Sequence, residues 1–294
     1  MPVPTSFGVY ASGGSGSAPR SFSISPAVSG QSTWDLDVDG PLALSTAGTW
    51  TIVPTSTFIV STKAWGGGGG GGGAAGRGGG SGFAGGEVQL TSGVSYTLTV
   101  AGPGIYNSSA AVIGGGGPST TVTGFRAGSG GGFTGITTGA TDILLAGGGG
   151  GGAYGGDGGA GGGAAGVDGS PFDPGATDFG KGGTSSAGGA AGTGTGSPTA
   201  GTSRQGGTGG GGTAKGGGGG GGYYGGGGGG YDGGGGAGGG GGGSGYANPV
   251  SVGSPVLTAG SGQTPGNSAD GDRGTAGNGA AVLGTGNPGT LRLA

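Results

Sequence analysis

The sequence contains no cysteine and no histidine in its 294 residues. Disulfides, thiol nucleophiles, Cys/His zinc sites and histidine-dependent catalytic triads are therefore excluded. Charged residues make up only 7% of the chain, and the formal net charge is -3. Strong charge repulsion, which keeps many disordered proteins open, is therefore missing as well.

Targeting and membrane-spanning segments are also missing from the sequence. The first 16 residues lack a basic region followed by an apolar run, so we expect no signal peptide. No apolar run reaches the length of a transmembrane helix. The nine lysines and arginines are scattered singly, so we expect no nucleic-acid partner.

Glycine is the residue that the sequence has in excess, with 102 copies. Collagen is excluded, because it needs glycine at every third position and far more proline than the 15 residues present. The main uninterrupted runs are 66–73, 114–117, 147–152, 209–212, 216–222, 225–230, 233–236 and 238–243. Their similar lengths and short separations indicate rods joined by turns.

Alternating apolar and polar residues predict β-strands between the glycine runs. One such segment carries Phe22 and Ile24, and another alternates Trp34, Leu36 and Val38 with aspartates. Further strands are predicted in residues 48–53, 56–65, 85–90, 96–100 and 141–148. The short Thr-Ser-Gly interruption at 91–93 predicts that the strands on either side form a hairpin.

The glycine runs predict polyglycine II helices, which have three residues per turn and no internal hydrogen bonds. Without side chains such helices can approach closely and pair each other's backbone groups. Ordering a glycine costs on the order of 1–2 kcal/mol of conformational entropy, so only a cooperative lattice of many runs would hold. We therefore predict a mainly β fold with a sandwich of polyglycine II helices, an antiparallel β-rich N-terminal part and essentially no α-helix.

The stretch from Ser61 to Gly104 resembles the glycine-rich domain of bacteriophage tail fibres and tail-tip adhesins. In that family a strand ends in an aromatic or small residue before a glycine block, as at Trp65 here. Residues 83–86 match the family's second element, and residues 96–104 match its hairpin. With the later glycine blocks, the resemblance covers about residues 45 to 248.

The resemblance implies a virion protein that attaches the particle to its host through loops between polyglycine II helices. Its expected partners are other virion proteins of the tail fibre, baseplate or capsid, and a host-surface protein or polysaccharide. The expected location is the virion after assembly in the host cytoplasm, and the resemblance also allows a homotrimer. A purely structural virion role and a disordered glycine-rich protein remain as alternatives.

Aromatic residues that interrupt the glycine runs are the candidate receptor contacts, because exposed rings suit sugar stacking and protein contacts. The alternative for Tyr223 and Tyr224 is a structural lid over the end of the lattice. The candidates are Phe172, Phe179, Tyr223, Tyr224, Tyr231 and Asp232.

Metal-binding and catalytic interpretations have weaker support. Residues 35–40 match the first half of a calcium loop, but Thr46 stands where the motif needs glutamate, so we prefer an acidic strand without metal. Glycoside cleavage needs two carboxyl groups about 5–10 Å apart. Asp157, Asp168, Asp173 and Asp178 lie in glycine or turn segments without a recognisable scaffold to shift their pKa values. We therefore expect no enzyme activity, no metal and no cofactor.

Three segments are expected along the chain. Residues 1–50 would be a β-rich attachment segment, and residues 51–248 would be the glycine-rich domain with its flanking hairpins. Residues 249–294, rich in glycine, proline and threonine, would be an extended C-terminal segment.

Overall fold

The computed structural model describes residues 18–120 and 126–294, so the residues that were searched for a signal peptide lie outside it. The regular secondary structure is almost entirely antiparallel β-sheet, which confirms the predicted mainly β fold with essentially no α-helix. Within these ranges the one helical element is a 3-10 turn at Gly271–Arg273, and no helix is long and apolar enough to cross a membrane.

Twelve strands of the described residues form two sheets. The strands are β1 Ser21–Val28, β2 Gln31–Asp35, β3 Leu42–Leu44, β4 Gly48–Pro54, β5 Phe58–Trp65, β6 Phe83–Leu90, β7 Tyr96–Val100, β8 Thr134–Thr138, β9 Thr141–Ala146, β10 Tyr246–Ala247, β11 Val252–Thr258 and β12 Thr290–Leu293. Seven strands follow the order β10-β9-β8-β7-β4-β1-β2, and five follow the order β11-β6-β5-β12-β3.

The two sheets share one apolar core and so form a sandwich. Phe22, Ile52 and Leu98 contribute to this core from the seven-stranded sheet, while Val60 and Leu291 contribute from the five-stranded sheet. β1, β4, β5 and β7 turn alternate residues towards the core, as expected for strands with one buried side, whereas β8 and β9 bury several consecutive residues.

Four long connections leave the sandwich at one end, and three of them contain all of the glycine runs. Pairing of Trp65 with Phe83 and of Thr134 with Ala146 places these strand ends side by side. Thr290 pairs with Trp65, and Thr258 pairs with Phe83, at the same end. The connections are residues 66–82, 101–133, 147–245 and 259–289. The sandwich therefore acts as a common base from which the glycine runs extend.

The predicted hairpin of β6 and β7 is wrong, although both strands exist. β6 pairs with β5 and β11, and β7 pairs with β4 and β8, so the link at residues 91–95 crosses between the two sheets. Alternation shows which side of each strand is buried but does not choose the partner strand. Crossing the sandwich lets both strands turn their apolar sides towards the same core.

The acidic strand predicted through Val38 is also wrong beyond Asp35. Residues 36–39 form a turn in which the Asp39 backbone N–H donates to the Asp35 carbonyl at 2.7 Å. The Asp35 carboxylate accepts from the Asp37 N–H at 3.0 Å, and the Val38 side chain is exposed. Aspartate favours such turns because its side chain bonds nearby backbone N–H groups, and this preference overrides the alternation.

Hydrogen bonds from each glycine run change direction with a period of three residues. In the run 66–73, successive N–H groups point to three different neighbouring segments in rotation. Gly66, Gly69 and Gly72 donate to residues 76–82, Gly67, Gly70 and Gly73 donate to residues 126–132, and Gly68 and Gly71 donate to residues 284–287. Most of these N···O distances are 2.7–2.9 Å.

Interior runs have six hydrogen-bonded neighbours. The N–H groups of the run 216–222 donate to residues 207–210, 238–241 and 128–131. Its carbonyls accept from Gly117 and from residues 148–151 and 226–229. The runs therefore pack as a lattice in which backbone groups bond in all lateral directions, and few buried groups are left without a partner.

The close approach of neighbouring backbones explains why these positions are glycine. A Cβ added to Gly150 would lie 2.1 Å from the carbonyl oxygen of Gly240, and one added to Gly240 would lie 2.1 Å from that of Gly218. No side chain can occupy such a space, and the atom it meets is backbone that is already held by hydrogen bonds. Even alanine would push the runs apart.

The three segments expected from the sequence are interleaved in the structure. β4 runs across residue 50 and pairs with β7, so the expected boundary falls inside a strand. The C-terminal residues supply β11 and β12, and β12 lies between β5 and β3. N-terminal and C-terminal strands therefore belong to the same sandwich.

A substitution of glycine by alanine in the lattice tests the close approach. We expect Gly240→Ala to lower the free energy of unfolding by at least about 3 kcal/mol, because overpacking a rigid interior is strongly unfavourable. Gly271→Ala is the matched control, since an added Cβ there meets nothing within 4 Å. It should change stability by no more than about 1 kcal/mol. Equal effects in a denaturant titration would contradict the packing described.

Hydrogen exchange separates the lattice from a disordered glycine-rich chain. Amides of residues 217–221 and 239–242 are bonded on interior runs and should exchange slowly. Amides of the exposed residues 232 and 233 should exchange much faster. Fast exchange throughout 216–243, measured by NMR or mass spectrometry, would instead support the disordered alternative.

Candidate functional site

The lattice has two ends, and the turns at the end remote from the sandwich form the candidate site. We call these turns, residues 153–156, 171–178, 211–215 and 231–237, the distal tip. An extended run of six residues separates the two ends by roughly 20 Å. The distal tip is therefore the part of the chain that the glycine runs hold farthest from their base.

A layer of alanines closes the lattice beneath the distal tip. Ala127, Ala153, Ala214 and Ala237 are buried and contact one another. At this level neighbouring runs lie far enough apart to hold a methyl group. Apolar contacts between alanines therefore take the place of hydrogen bonds between glycines. Lys215 follows this layer, is only 3% exposed, and donates from Nζ to the Gly212 carbonyl. Burial lowers the pKa of this lysine.

Aromatic rings lie over glycines at the distal tip. The Phe172 ring covers Gly155 and Gly236 so closely that a Cβ on either glycine would lie 2.0 Å from a ring carbon. Phe172 is nevertheless 42% exposed. The half-buried Tyr231 ring similarly covers Gly212 and packs on the alanine layer. Because these glycines have no side chain, each ring packs directly on their backbone, and this contact holds the ring in place.

Three carboxylates converge beside these rings. A Cβ added to Gly234 would lie 3.4 Å from Oδ1 of Asp232 and 3.6 Å from Oδ2 of Asp173, so these two groups flank Gly234. Both aspartates are exposed, and Asp232 also accepts from the Gly234 N–H at 2.8 Å. Asp178 lies beneath them and is 1% exposed.

Asp178 is an unusual buried carboxylate. Neither of its side-chain oxygens has a hydrogen-bond partner among the described residues. Burial and, after it, the negative charge of Asp232 raise the pKa of Asp178 from 3.8 to about 6, with a smaller contribution from Asp173 and an opposing effect of the Asp178 backbone. The expectation that no scaffold shifts an aspartate pKa in these turns is therefore wrong for Asp178.

Hydrogen bonds from the main chain explain how Asp178 became buried. Its carbonyl accepts from the Gly230 N–H at 2.5 Å, which places residue 178 within the lattice beside the last glycine before Tyr231. Sequence patterns could not predict this burial, because Asp178 stands in a turn-like insertion and is buried by glycine runs that come much later in the chain, such as the one ending at Gly230.

The predicted receptor contacts divide between the two ends. Phe172, Tyr231 and Asp232 lie at the distal tip. Tyr223 and Tyr224 lie at the sandwich end, where the Tyr223 ring stacks on Tyr246 with centroids 4.1 Å apart and an interplanar angle of 13°.

The remaining predicted contact, Phe179, lies on the side of the lattice. The Lys181 ammonium lies 4.1 Å from the centroid of its ring and also pairs with Asp168 at 3.0 Å. The six candidates therefore do not form one surface. Asp173, Asp178 and Gly234 join the distal group although the sequence did not single them out as contacts.

No group of three metal-ligating side chains with suitable spacing occurs within residues 18–120 and 126–294. The turn at residues 35–39 satisfies its carboxylates with backbone N–H groups and with Arg20. The distal carboxylates likewise do not form a single coordination sphere as they stand.

Comparison with known proteins finds no matching family and no curated protein with significant similarity.

The raised pKa of Asp178 predicts a distinctive pH dependence of stability. The folded state binds this proton more tightly than the unfolded state, whose pKa is near 3.8. The stabilisation is therefore complete below about pH 3.8 and is lost as the pH rises through about 6. Asp178→Asn should remove this loss and stabilise the protein at pH 7.5 by roughly 1–3 kcal/mol.

Urea titrations at pH 4 to 7.5 would measure the difference between the variant and the parent protein. Asp168→Asn is the matched control, because Asp168 is exposed and already paired with Lys181. A pH profile that is the same in Asp178→Asn as in the parent would show that Asp178 has no such effect.

Proposed function

We propose that this protein is a bacteriophage virion component that attaches the particle to its host surface through the distal tip. The single observation that carries this proposal is the architecture. A β-sandwich extends four glycine-rich connections from one end, and the rigid lattice holds aromatic and acidic side chains at the other end. The resemblance to tail-fibre and tail-tip adhesin domains supports the same function.

We also infer that the glycine runs are polyglycine II helices. A threefold helix directs successive N–H groups to neighbours 120° apart, so its hydrogen bonds repeat every three residues. The runs 66–73, 216–222 and 238–243 follow this period. The runs lie outside the strands, which have the two-residue period of a sheet.

Rigidity favours the distal tip as a binding surface. Binding residues are commonly carried by loops on a rigid scaffold, because the scaffold limits the entropy lost on binding. The Phe172 ring is exposed and is also held in place by its contact with two glycines. A binding hot spot requires both properties of an aromatic ring. Substitutions of the exposed side chains in these turns, such as Phe172 and Asp232, leave the interior hydrogen bonds untouched, so this surface can change without loss of the fold.

A structural role in the virion is the second candidate. The six-neighbour packing of the interior runs favours it, because a stiff spacer needs such packing and needs no exposed contacts. A structural component would have its distal tip covered by another virion protein. An attachment module would have the distal tip free in the particle, which electron cryomicroscopy of intact virions would reveal.

Cell binding by purified variants tests attachment and identifies the end responsible. Fluorescently labelled protein should bind saturably to the host among a panel of bacteria, and unlabelled protein should compete with it. Phe172→Ala should weaken binding at least about tenfold, because aromatic hot spots contribute about 2 kcal/mol or more. Tyr224→Ala, which removes a ring at the sandwich end, is the matched control.

The two variants give distinct outcomes. A loss confined to Tyr224→Ala would place attachment at the sandwich end and contradict a distal site. Absence of saturable binding to every strain that the phage infects would leave the structural role as the function.

A further inference from the structure

We propose that a groove on the side of the sandwich binds a neutral saccharide. The groove crosses β5, β6 and β11 on the outer face of the five-stranded sheet, which is the face turned away from the shared core, and has a volume of about 330 Å³. No residue of the distal tip lines it. The inference therefore goes beyond the proposed attachment function, and either of the two can fail without the other.

A glycine in the middle strand makes this face of the sheet concave. In β6, Ala84 contributes to the core, so the next residue, Gly85, lies on the outer face. In the sheet register Gly85 stands between Lys63 of β5 and Val256 of β11. Because Gly85 has no side chain, a depression is left between these two neighbours. A Cβ added to Gly85 would lie 2.7 Å from a carbon of the Phe83 ring, so this ring forms part of the floor.

A turn of the connection 259–289 forms the wall of the groove at the end nearest the lattice. The Trp65 indole N–H donates to the Gly266 carbonyl at 3.0 Å, so the chain crosses the outer face at this point. Asp270 of the same turn lines the groove, and its carboxylate lies 2.8 Å from the Lys63 ammonium. The hydrogen bond and the ion pair together fix the wall against the sheet.

A β-bulge in β11 forms the opposite side of the groove. Gly253 pairs with Glu87 and Val256 pairs with Gly85, so two residues of β11 stand against one residue of β6. The first of these two residues, Ser254, has a φ of 47°, which is uncommon for a residue other than glycine. Bulges redirect side chains and are frequent beside functional sites. Ser254 is one of the residues that line the groove.

Polar side chains with unused hydrogen-bonding capacity meet in this groove. Ser61 of β5 lies directly opposite Glu87 of β6, and side chains in such pairs are about 5 Å apart at Cβ. Ser254 and Thr258 add hydroxyl groups from β11. Among the described residues none of these four side chains has a hydrogen-bond or ionic partner. Unpaired polar groups are common on a surface, but here three hydroxyls and a carboxylate line one concave space.

These groups suit the chemistry of a saccharide. Sugar hydroxyls can donate to the Glu87 carboxylate and can exchange hydrogen bonds with serine and threonine hydroxyls. The apolar side of a sugar ring can pack on Val256, which is 52% exposed at the edge of the groove. Small-molecule sites combine concave apolar surface with a few convergent polar groups in this way, and they begin at volumes of about 300 Å³.

Strand pairing disfavours a peptide as the ligand. β5 lies between β6 and β12, and β6 lies between β5 and β11, so the backbone groups of both strands are already paired. A peptide therefore cannot extend the sheet at this place. Only side chains are left to hold the ligand, which favours a molecule whose own polar groups are hydroxyls.

Charge favours a neutral saccharide over an acidic one. Lys63 is already paired with Asp270 and with Asp272, at 2.8 Å and 2.7 Å. The Glu87 carboxylate is therefore left as the uncompensated charge among the residues that line the groove. It would repel a sugar that carries a carboxylate of its own.

NMR titrations of the isotopically labelled full chain would test the proposal. The probes are the methyl glycosides of D-glucose, D-galactose and N-acetyl-D-glucosamine. We expect at least one of them to give saturable shifts in amides of residues 61–63, 85–87 and 254–258. D-Sorbitol, which has the hydroxyls without the ring, should give no saturable shifts. The methyl glycoside of D-glucuronic acid should bind more weakly than that of glucose, because Glu87 repels its carboxylate.

Two pairs of variants locate the site. Glu87→Ala should raise the Kd roughly tenfold, which corresponds to about 1.4 kcal/mol. Gln89→Ala is its matched control, because Gln89 is exposed on the same face of β6 but lies outside the groove. Ser61→Arg should abolish binding, since the new side chain fills the groove and can pair with Glu87. Ile59→Arg places the same side chain on the same face of β5 beyond the groove and should leave the Kd unchanged.

Several outcomes would overturn the proposal. These are no saturable shifts with any of the three glycosides, equal shifts with sorbitol, or an unchanged Kd in both Glu87→Ala and Ser61→Arg. Tighter binding of the glucuronide than of the glucoside would contradict a neutral ligand. Phe172→Ala should leave the Kd unchanged, and this result keeps the test separate from attachment through the distal tip. The spectrum of each variant without ligand would confirm that it has folded.

Discussion

The whole structure depends on one interaction, the hydrogen bond between neighbouring backbones that are in direct contact because no side chain separates them. It requires glycine at each contact, because a single Cβ would lie about 2 Å from a neighbouring carbonyl oxygen. It also requires many runs at once, since ordering glycine costs more entropy than ordering any other residue. Six neighbours around each interior run supply the cooperativity that one or two runs would lack.

The β-sandwich brings the first residues of the glycine runs together and so allows the lattice to form. Trp65 pairs with Phe83 and Ala146 pairs with Thr134, so the glycine-rich segments that leave β5 and β9 start beside the points where others enter β6 and β8. At this junction Trp65 packs on Phe83 with centroids 4.8 Å apart, and its indole N–H donates to the Gly266 carbonyl at 3.0 Å. Apolar burial thus holds the base, while backbone hydrogen bonds hold the extension.

The sequence predicted local features well and distant pairings poorly. Alternation and β-branched, aromatic or apolar content located β1, β2, β4–β7 and β9 but missed β3, β8, β10, β11 and β12. Alternation records only which side of a strand is buried. It misplaced the partner of β6 and extended β2 through Asp35–Asp39, where aspartate turns replaced the strand. The candidate contacts Phe172, Tyr231 and Asp232 lie together at the distal tip, but Tyr223 and Tyr224 lie at the sandwich end. Asp178 was missed because its burial is produced by runs far along the chain.

The three-residue period of the hydrogen bonds restricts how this protein can change in length. Deleting one residue from the run 216–222 would rotate every later N–H by a third of a turn, towards the wrong neighbour. We therefore expect insertions and deletions within runs to preserve the hydrogen bonds of the lattice only when they contain a multiple of three residues. The turns have no three-residue repeat, so residues can be inserted or deleted at the distal tip while the packing of the lattice is unchanged.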